Sequence, residues 1–490
     1  MSLVSVLLAL VSGLFLPLAF APWGWFPVAL LSPAVLFFLW LSANPRQAFW
    51  LGMIFGIGYF GLGVSWVYVS VHDFGHVPAP VAVIITGLFV AVMALFPALA
   101  GYVGSRIACS QRHALLLVYP AMWVLAEWAR GTVFTGFPWL HLGYSQLESP
   151  LRALAPVLGV YGVSWITALI AGVMVFTLRT RGNQRWIAAA MVLLTLSVSA
   201  RFSTQIWTEP SGPKFSVALV QGNIPQDQKW QLHQRQPTLD LYQELTLAHT
   251  DVDVVIWPET AVPAFWRDVE ADYLKPLHAT LRAEGVTLVT GIPMIGDSDS
   301  DYRNAMITLG AEQGIYHKRH LVPFGEVFPF KSLLGGIYEL VFGVYSSFTP
   351  GADDQPLPTV KGYPTAMSIC YEIAFGEEVI ESLPEAELLI NTSNDAWFGS
   401  SIAADQHIEI ARMRALETGR YLLRATNTGV TAVISPTGTL LAQAPQFEQF
   451  VLEAEVLPMQ GATPYVKIGN RWLLLLPVLL IVSLVMRRRQ

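Results

Sequence analysis

The long apolar runs of this chain lie at its two ends, on either side of a central block that has none. Eight apolar segments can be recognised, at residues 2–20, 26–42, 48–71, 79–104, 114–130, 158–178, 186–200 and 472–486. A helix that crosses a bilayer needs about 20 apolar residues, with a range of about 17–25. The sequence therefore predicts a multi-pass α-helical membrane domain with about eight transmembrane helices, the last two segments being the shortest.

The first apolar segment has a second interpretation. Ala19-Phe20-Ala21 resembles the small-x-small site at which a signal peptide is cleaved. The segment lacks a preceding Lys or Arg region, however, and its apolar run is long for a signal peptide. We interpret it as an uncleaved helix, and cleavage would leave the sidedness of the remaining chain unchanged.

The arginines of the short connections predict the orientation in the membrane. One set falls in alternate connections and at the C-terminus: Arg46, Arg106, Arg112, Arg179, Arg181, Arg185, Arg487, Arg488 and Arg489. The remaining connections hold Arg130 and Arg152. Because loops rich in Lys and Arg stay in the cytoplasm, residues 201–471 are expected on the outer side of the membrane, with a basic tail inside.

Composition supports three regions. The chain is 53% hydrophobic and 13% charged, about half the charge fraction of a soluble protein. Residues 1–200 are predicted as an N-terminal membrane domain, 201–471 as an extracytoplasmic catalytic domain, and 472–490 as a final helix with its tail. The net charge of −6 and the lack of a basic patch with interleaved aromatic residues argue against nucleic-acid binding.

Short β-like runs alternate with helical patterns in the central block. Strands are predicted at 214–220, 252–257, 287–292, 305–309, 365–370, 388–391, 429–435 and 451–456, and helices at 234–248, 269–283 and 403–416. This alternation is typical of an α/β sheet covered by helices. Polar clusters around Glu259, Cys370 and Asn394 follow three of the strands, and ligands bind beyond the carboxyl ends of such strands. We therefore expect one shared site.

Three residues of the central block are candidates for nucleophilic catalysis. The predicted topology separates Cys370 from Cys109, so Cys370 is a free thiol in an oxidising compartment, where such thiols are usually lost unless buried or needed. Glu259, beside Trp257, could act as its base, and Lys318 could stabilise an oxyanion, with Glu326 holding that lysine. On the residues alone, each has an ordinary alternative: an inert buried thiol, a turn carboxylate and a solvated basic turn.

Other chemistries are poorly supported. His317 and His320 are close in sequence, but no second Cys or His cluster follows at metal-ligand spacing. There is no Gly-x-Ser-x-Gly elbow and no Gly-rich phosphate loop. We therefore expect neither a metal nor another cofactor.

The order Glu259, Lys318, Cys370 resembles the nitrilase (carbon–nitrogen hydrolase) superfamily. Longer strings resemble the apolipoprotein N-acyltransferase family: Gln221-Gly222-Asn223-Ile224-Pro225-Gln226 with Lys229-Trp230, Trp257-Pro258-Glu259-Thr260, His320-Leu321-Val322-Pro323-Phe324-Gly325-Glu326, Cys370-Tyr371-Glu372, and Asn391-Thr392-Ser393-Asn394-Asp395-Ala396-Trp397-Phe398. The resemblance covers nearly the whole chain. It implies an α-β-β-α sandwich on a membrane domain and a Glu259–Lys318–Cys370 triad. It also implies supporting or substrate-binding roles for Trp230, Glu326, Tyr371 and Glu372.

The same resemblance implies the substrates. The donor would be a phospholipid, typically phosphatidylethanolamine, that gives its sn-1 acyl chain to Cys370 as a thioester. The acceptor would be the α-amine of an S-diacylglyceryl-cysteine apolipoprotein, in a ping-pong reaction. The apolar segment 327–345 is interpreted as a loop that faces lipid, with a buried lid helix as the alternative. Two other functions stay open: a membrane-tethered amidase in which water resolves the thioester, and a non-enzymatic lipoprotein-binding scaffold or transporter.

Overall fold

The structure is a computed structural model, and it describes residues 1–296, 301–327 and 348–489. The chain divides into two compact units. One contains Met1–Val71, Pro78–Ile206 and Thr463–Gln490, and the other contains His72–Val77 and Trp207–Ala462. Most of the apolar segment 327–345 lies outside the described residues.

The regular secondary structure of the first unit is helical in its described part. Its α-helices are Leu3–Phe15, Val28–Leu41, Pro45–Gly63, Trp66–Val69, Ala79–Ile107, Gln111–His113, Tyr119–Arg130, Ala155–Arg179, Asn183–Phe202 and Pro464–Arg489. Short 3₁₀ or π turns lie at Leu16–Ala19, Ala114–Val118, Val133–Thr135, Tyr144–Glu148 and Pro150–Leu154, and the π turn Ser70–Phe74 runs from this unit into the second. Each of the eight predicted apolar segments overlaps one of these helices, as expected for chains that must satisfy their backbone hydrogen bonds internally in lipid.

Helix length and composition identify four or five candidate membrane spans among the described residues. Among the described residues, four helices are long and apolar enough to cross a membrane: Ala79–Ile107, Pro150–Arg179, Asn183–Phe202 and Pro464–Leu484. Pro45–Gly63 and Trp66–Phe74, bent by 55°, would add a fifth. Leu3–Ala19 and Val28–Leu41 are apolar but shorter. At 1.5 Å per residue, a helix of about 14 residues covers roughly 21 Å of the roughly 30 Å hydrocarbon core.

Two buried charges of the helical unit hold the segment that follows Tyr119–Arg130. Glu127 accepts a hydrogen bond from the Leu142 backbone at 2.8 Å. The Arg130 guanidinium donates to the Phe137 carbonyl at 2.9 Å and to His141 Nδ1 at 3.0 Å. Buried charges are stable only when they are paired or hydrogen-bonded. These contacts therefore hold residues 137–142 against the helix.

The second unit is built on two sheets. Its strands are β1 (Thr208–Pro210), β2 (Phe215–Gln221), β3 (Val254–Ile256), β4 (Thr287–Ile295), β5 (Tyr302–Gly310), β6 (Gly314–His317), β7 (Thr359–Val360), β8 (Tyr363–Ile369), β9 (Leu388–Ser393), β10 (Leu422–Thr426), β11 (Ala432–Ile434), β12 (Leu440–Gln443), β13 (Phe450–Val456) and β14 (Met459–Gly461). In the part of the chain that is described, the order is β13-β2-β3-β4-β5-β6 in one sheet and β12-β11-β10-β9-β8-β7 in the other, and β1 pairs with β14. All eight predicted strands overlap observed ones.

The main core of this unit lies between the two sheets. Val254 and Ile256 of β3 point into it together with Ile369 of β8 and Ile390 of β9, whereas Val255 points to the opposite face of its sheet. Because side chains alternate along a strand, each sheet has a second apolar face that needs a cover. Helices Leu232–Leu247 and Lys275–Glu284 pack on the first sheet.

The second sheet is covered by helix Ala403–Thr418, which is buried along nearly its whole length. The helix ends at Gly419, whose φ of 65° forms the left-handed cap that suits glycine. The layers are therefore helix, sheet, sheet, helix, as the family resemblance implies. In each sheet the central strands are parallel, β2-β3-β4 and β8-β9-β10. The segments that follow β8 and β9 therefore lie at the same edge of their sheet, and the segment that follows β3 lies at the carboxyl edge of the other sheet.

Candidate active site

Glu259 lies three residues after β3 and is buried. Its Oε1 accepts a hydrogen bond from Asn304 Nδ2 at 2.8 Å and lies 3.5 Å from Lys318 Nζ. Its Oε2 accepts from the backbone N–H of Asn394 at 2.9 Å. Both oxygens thus face donors, as an ionised carboxylate requires. The contact with Asn394 joins the polar clusters that follow β3 and β9.

Lys318 follows β6 directly and is only 1% exposed. Its ammonium donates to Glu326 Oε1 at 2.8 Å and lies between this carboxylate and that of Glu259. Burial alone would lower the pKa of Lys318, but the charges of Glu326 and Glu259 outweigh burial and hold the pKa well above its usual value. The raised pKa favours a charged ammonium, and its shortest contact with a carboxylate is the one to Glu326.

Cys370 is the first residue after β8 and is half-buried. Its φ of +53° is left-handed, a region that residues with a Cβ rarely adopt. Burial and the carboxylate of Glu259 raise the pKa of Cys370 to about 12, against the lowering effect of Lys318. The resting sulfur is therefore a thiol, and it must lose its proton before it can act as a nucleophile.

This raised pKa predicts a particular pH dependence of Cys370 alkylation. In a Cys109→Ser background, the iodoacetamide rate constant at Cys370 is expected to rise about tenfold per pH unit from 7 to 10, because the thiolate fraction grows by that factor below the pKa. Mass spectrometry of quenched samples measures the rate. A plateau near neutral pH would show instead that the resting residue is a thiolate.

Glu372 connects the turn at Cys370 with the segment that carries Lys318. Its buried carboxylate accepts hydrogen bonds from the backbone amides of Ile369, Arg319 and His320 at 2.6, 2.6 and 3.0 Å, and from Tyr316 Oη at 3.1 Å. Burial raises the pKa of Glu372 to about 6 although these donors favour the charged form. Glu372 therefore ties two parts of the site together through their backbones.

Tyr371 and Trp230, for which the resemblance implies supporting roles, differ in their exposure to solvent. Tyr371 is buried and packs edge-on against Phe375, with ring centroids 5.1 Å apart. Trp230 is 52% exposed. The preceding residue, Lys229, contacts Glu259: its Nζ donates to the Glu259 carbonyl at 3.2 Å. Burial lowers the pKa of Lys229 to about 8, against the opposing charge of Glu259. Lys229 belongs to a string that carries the family resemblance, yet sequence reasoning assigned it no role.

Sequence reasoning also missed Asn304 on β5. Its Nδ2 donates to Glu259 at 2.8 Å and lies 3.3 Å from Glu326 Oε1, so it bridges the two carboxylates that flank Lys318. A single asparagine before an apolar run gives no signal of such a role.

Within residues 1–296, 301–327 and 348–489, no cluster of three or more His, Cys, Asp or Glu is arranged to hold a metal ion. The chemistry open to these groups is proton transfer and nucleophilic attack by sulfur.

Family models match both the first apolar region and the central block of this chain. Residues 216–464 match the family model for Carbon-nitrogen hydrolase, and residues 12–173 match that for the Apolipoprotein N-acyltransferase N-terminal domain. Among solved structures, an amidase from Nesterenkonia sp. AN1 is similar over 55% of this chain and 98% of its own, with 17% identity and a TM-score of 0.39. Sheets, site and family model together define a nitrilase-superfamily domain.

Curated relatives cover nearly the whole chain. A protein from Methylococcus capsulatus named Apolipoprotein N-acyltransferase is 48% identical over 469 residues, which are 95% of this chain and 93% of that protein. A protein of the same name from Coxiella burnetii is 42% identical over 463 residues, covering 94% and 95%. The chain belongs to the apolipoprotein N-acyltransferase family.

Proposed function

We propose that this chain moves the sn-1 acyl chain of a membrane phospholipid, phosphatidylethanolamine above all, to the N-terminal amine of an S-diacylglyceryl-cysteine apolipoprotein. The product is a triacylated lipoprotein. The observation that carries this proposal is the buried Lys318 ammonium, held between Glu259 and Glu326 beside a half-buried Cys370 thiol. The names of the curated relatives support the apolipoprotein acceptor.

In the first half-reaction, Glu259 takes the proton from Cys370 and the sulfur attacks the ester carbonyl of the phospholipid. The S–C bond forms, and the negative charge that develops on the carbonyl oxygen is stabilised by the Lys318 ammonium and a backbone N–H. The C–O bond then breaks, and the lysophospholipid oxygen takes up the proton held by Glu259. A thioester remains on Cys370.

In the second half-reaction, the apolipoprotein amine attacks the thioester carbonyl while Glu259 accepts a proton from the nitrogen. The N–C bond forms, the S–C bond breaks, and the sulfur leaves and recovers the proton. A thioester suits the task because it keeps the acyl group reactive without further activation. The two steps share one site, so the kinetics would be ping-pong.

The proposed substrates require a particular location and membrane orientation of the catalytic region. We propose that the catalytic region, residues 201–471, lies in the periplasm and that residues 1–200 and 472–490 anchor it in the inner membrane through about eight helices. The distribution of arginines between alternate connections supports this orientation. Both substrates carry acyl chains, so a membrane-embedded enzyme can reach them without extracting them into water.

Purified enzyme exposed to phosphatidylethanolamine with a labelled sn-1 chain should gain the mass of one acyl group on the peptide containing Cys370. Addition of a diacylglyceryl lipopeptide should then remove that mass and give N-acylated peptide. Intact-protein and peptide mass spectrometry follow both steps. Under the proposed mechanism, each half-reaction can be observed alone.

The main alternative is an amidase-like hydrolase in which water resolves the thioester. It predicts free labelled fatty acid and no N-acylated peptide in the same experiment. A non-enzymatic scaffold predicts no adduct at all. Either result would contradict the proposed function.

A further inference from the structure

A second polar cluster lies behind Cys370, and the proposed reaction does not use it. His407, Asp395 and Arg424 are each at most 2% exposed. They come from helix Ala403–Thr418, from the segment after β9 and from β10. Three buried ionisable groups brought together from separate elements require mutual contacts to be stable, and the cluster ends on the backbone of the proposed nucleophile.

A chain of hydrogen bonds connects Arg424 through His407 to the backbone of Cys370. Arg424 Nη2 donates to Asp395 Oδ2 at 2.8 Å and to His407 Nδ1 at 2.9 Å. On the other side of the ring, His407 Nε2 lies 3.2 Å from the carbonyl oxygen of Cys370. The imidazole thus joins the ion pair to the turn that carries Cys370. Asn391 forms a second, longer link, because it accepts from Arg424 and its Nδ2 lies 3.5 Å from the same carbonyl oxygen.

The Cys370 carbonyl decides which hydrogen of His407 matters here. Nδ1 faces both Arg424, which can only donate, and Asp395 Oδ1 at 2.9 Å, which can only accept. The carbonyl oxygen of Cys370 can also only accept, so Nε2 carries a hydrogen in this contact whatever the state of Nδ1. Burial and the charge of Arg424 lower the pKa of His407 and so favour the neutral ring, although the charge of Asp395 acts in the opposite direction. The Nε2–H group therefore donates to Cys370.

The carbonyl that receives this hydrogen bond belongs to a residue with unfavourable backbone geometry. Cys370 has a φ of +53°, and a residue with a Cβ leaves this region unless its surroundings hold it there. We propose that His407 is a positioning residue: its Nε2–H holds the Cys370 carbonyl and so fixes the turn that presents the thiol to Glu259 and Lys318. This inference rests on the proposed role of Cys370 as the nucleophile.

The test compares His407→Met with His407→Gln in a Cys109→Ser background. Met has similar bulk and no donor, whereas the Gln amide nitrogen can reach the place of Nε2. For His407→Met, loss of one oriented hydrogen bond should lower both the rate of Cys370 alkylation by iodoacetamide and kcat about tenfold, with KM unchanged. His407→Gln should recover both quantities to within about threefold of the parent, because it restores the donor.

Thr418→Val is the matched control. Thr418 is equally buried on the same helix, and its hydroxyl donates within that helix, to the Arg414 carbonyl at 2.7 Å. Its removal should leave the alkylation rate and kcat unchanged. A His407→Met enzyme that alkylates at the parent rate or faster, or a His407→Gln enzyme no better than His407→Met, would overturn the proposal.

Alkylation needs no acyl substrate, so the two proposals can fail separately. A clear difference between His407→Met and His407→Gln, without acyl transfer by the parent, would contradict the function and leave the positioning role standing. If His407→Met does not fold, ¹⁵N-histidine spectra of the parent, assigned by subtraction of the His407→Gln spectrum, test the same point. Nε2 is expected to carry a hydrogen, and a neutral ring with its hydrogen on Nδ1 alone would contradict the proposed contact.

Discussion

Replacement of Cys370 by alanine is expected to lower acyl transfer by about four orders of magnitude or more, to the uncatalysed level. In the proposed mechanism every acyl group passes through a bond to this sulfur, so neither half-reaction should survive its loss. Cys370→Ser should be nearly as inactive, because a hydroxyl gives up its proton far less readily than a thiol and Glu259 is its only proposed base. Rates of N-acylated lipopeptide formation and the acyl adduct on the enzyme measure both effects.

The chain contains its own control for this result. Cys109 is the other cysteine of the sequence and is exposed. Cys109→Ser should therefore keep full activity and still form the adduct on Cys370. If Cys370→Ala retained more than a few per cent of the parent rate at unchanged protein stability, a thioester on this residue could not be the intermediate.

The strand ends of the site could be predicted from sequence because they follow buried strands. β3, β8 and β9 each read as a short apolar run followed by polar residues, since both of their faces are covered. Parallel neighbours within a sheet then bring their carboxyl ends to one edge. The hydrogen bond from Asn394 to Glu259 shows that two of the predicted polar clusters do meet.

The remaining parts of the site depend on pairings that a single sequence does not reveal. β10 was missed because Arg424 interrupts its apolar run and looks like a surface residue, although its partner Asp395, 29 residues away, allows it to be buried. β6 has only four residues, is partly exposed and lies at a sheet edge. The position of Lys318 was therefore expected from the family resemblance and not from a recognised strand.

The membrane region shows the limit of hydropathy in another way. Every apolar segment overlaps a helix, so the hydropathy pattern predicts the helices correctly. The number of spans depends also on length, and helices such as Val28–Leu41 are short for a bilayer. Apolar character thus identifies the helices, but it does not decide which of them cross the membrane.

Replacement of Lys318 by methionine is expected to have two separable effects. Without the ammonium, the buried carboxylates of Glu259 and Glu326 lose the cation that lies 3.5 and 2.8 Å from them. Breaking such a buried pair lowers the free energy of unfolding by about 3–5 kcal/mol. Acyl transfer should fall by about three orders of magnitude, because the oxyanion loses its charge partner. Thermal unfolding in detergent and transfer rates measure the two losses.

The double variant Lys318→Met/Glu326→Gln distinguishes a chemical role of Lys318 from a purely structural one. Removing the Glu326 charge relieves the repulsion between the carboxylates, so a large part of the lost stability should return. Activity should stay near the level of Lys318→Met, since the neutral amide that Glu326→Gln introduces cannot replace an ammonium at the reacting carbonyl. If transfer recovered together with stability, Lys318 would serve only to neutralise its two acidic neighbours, and the oxyanion would have to be stabilised by other donors.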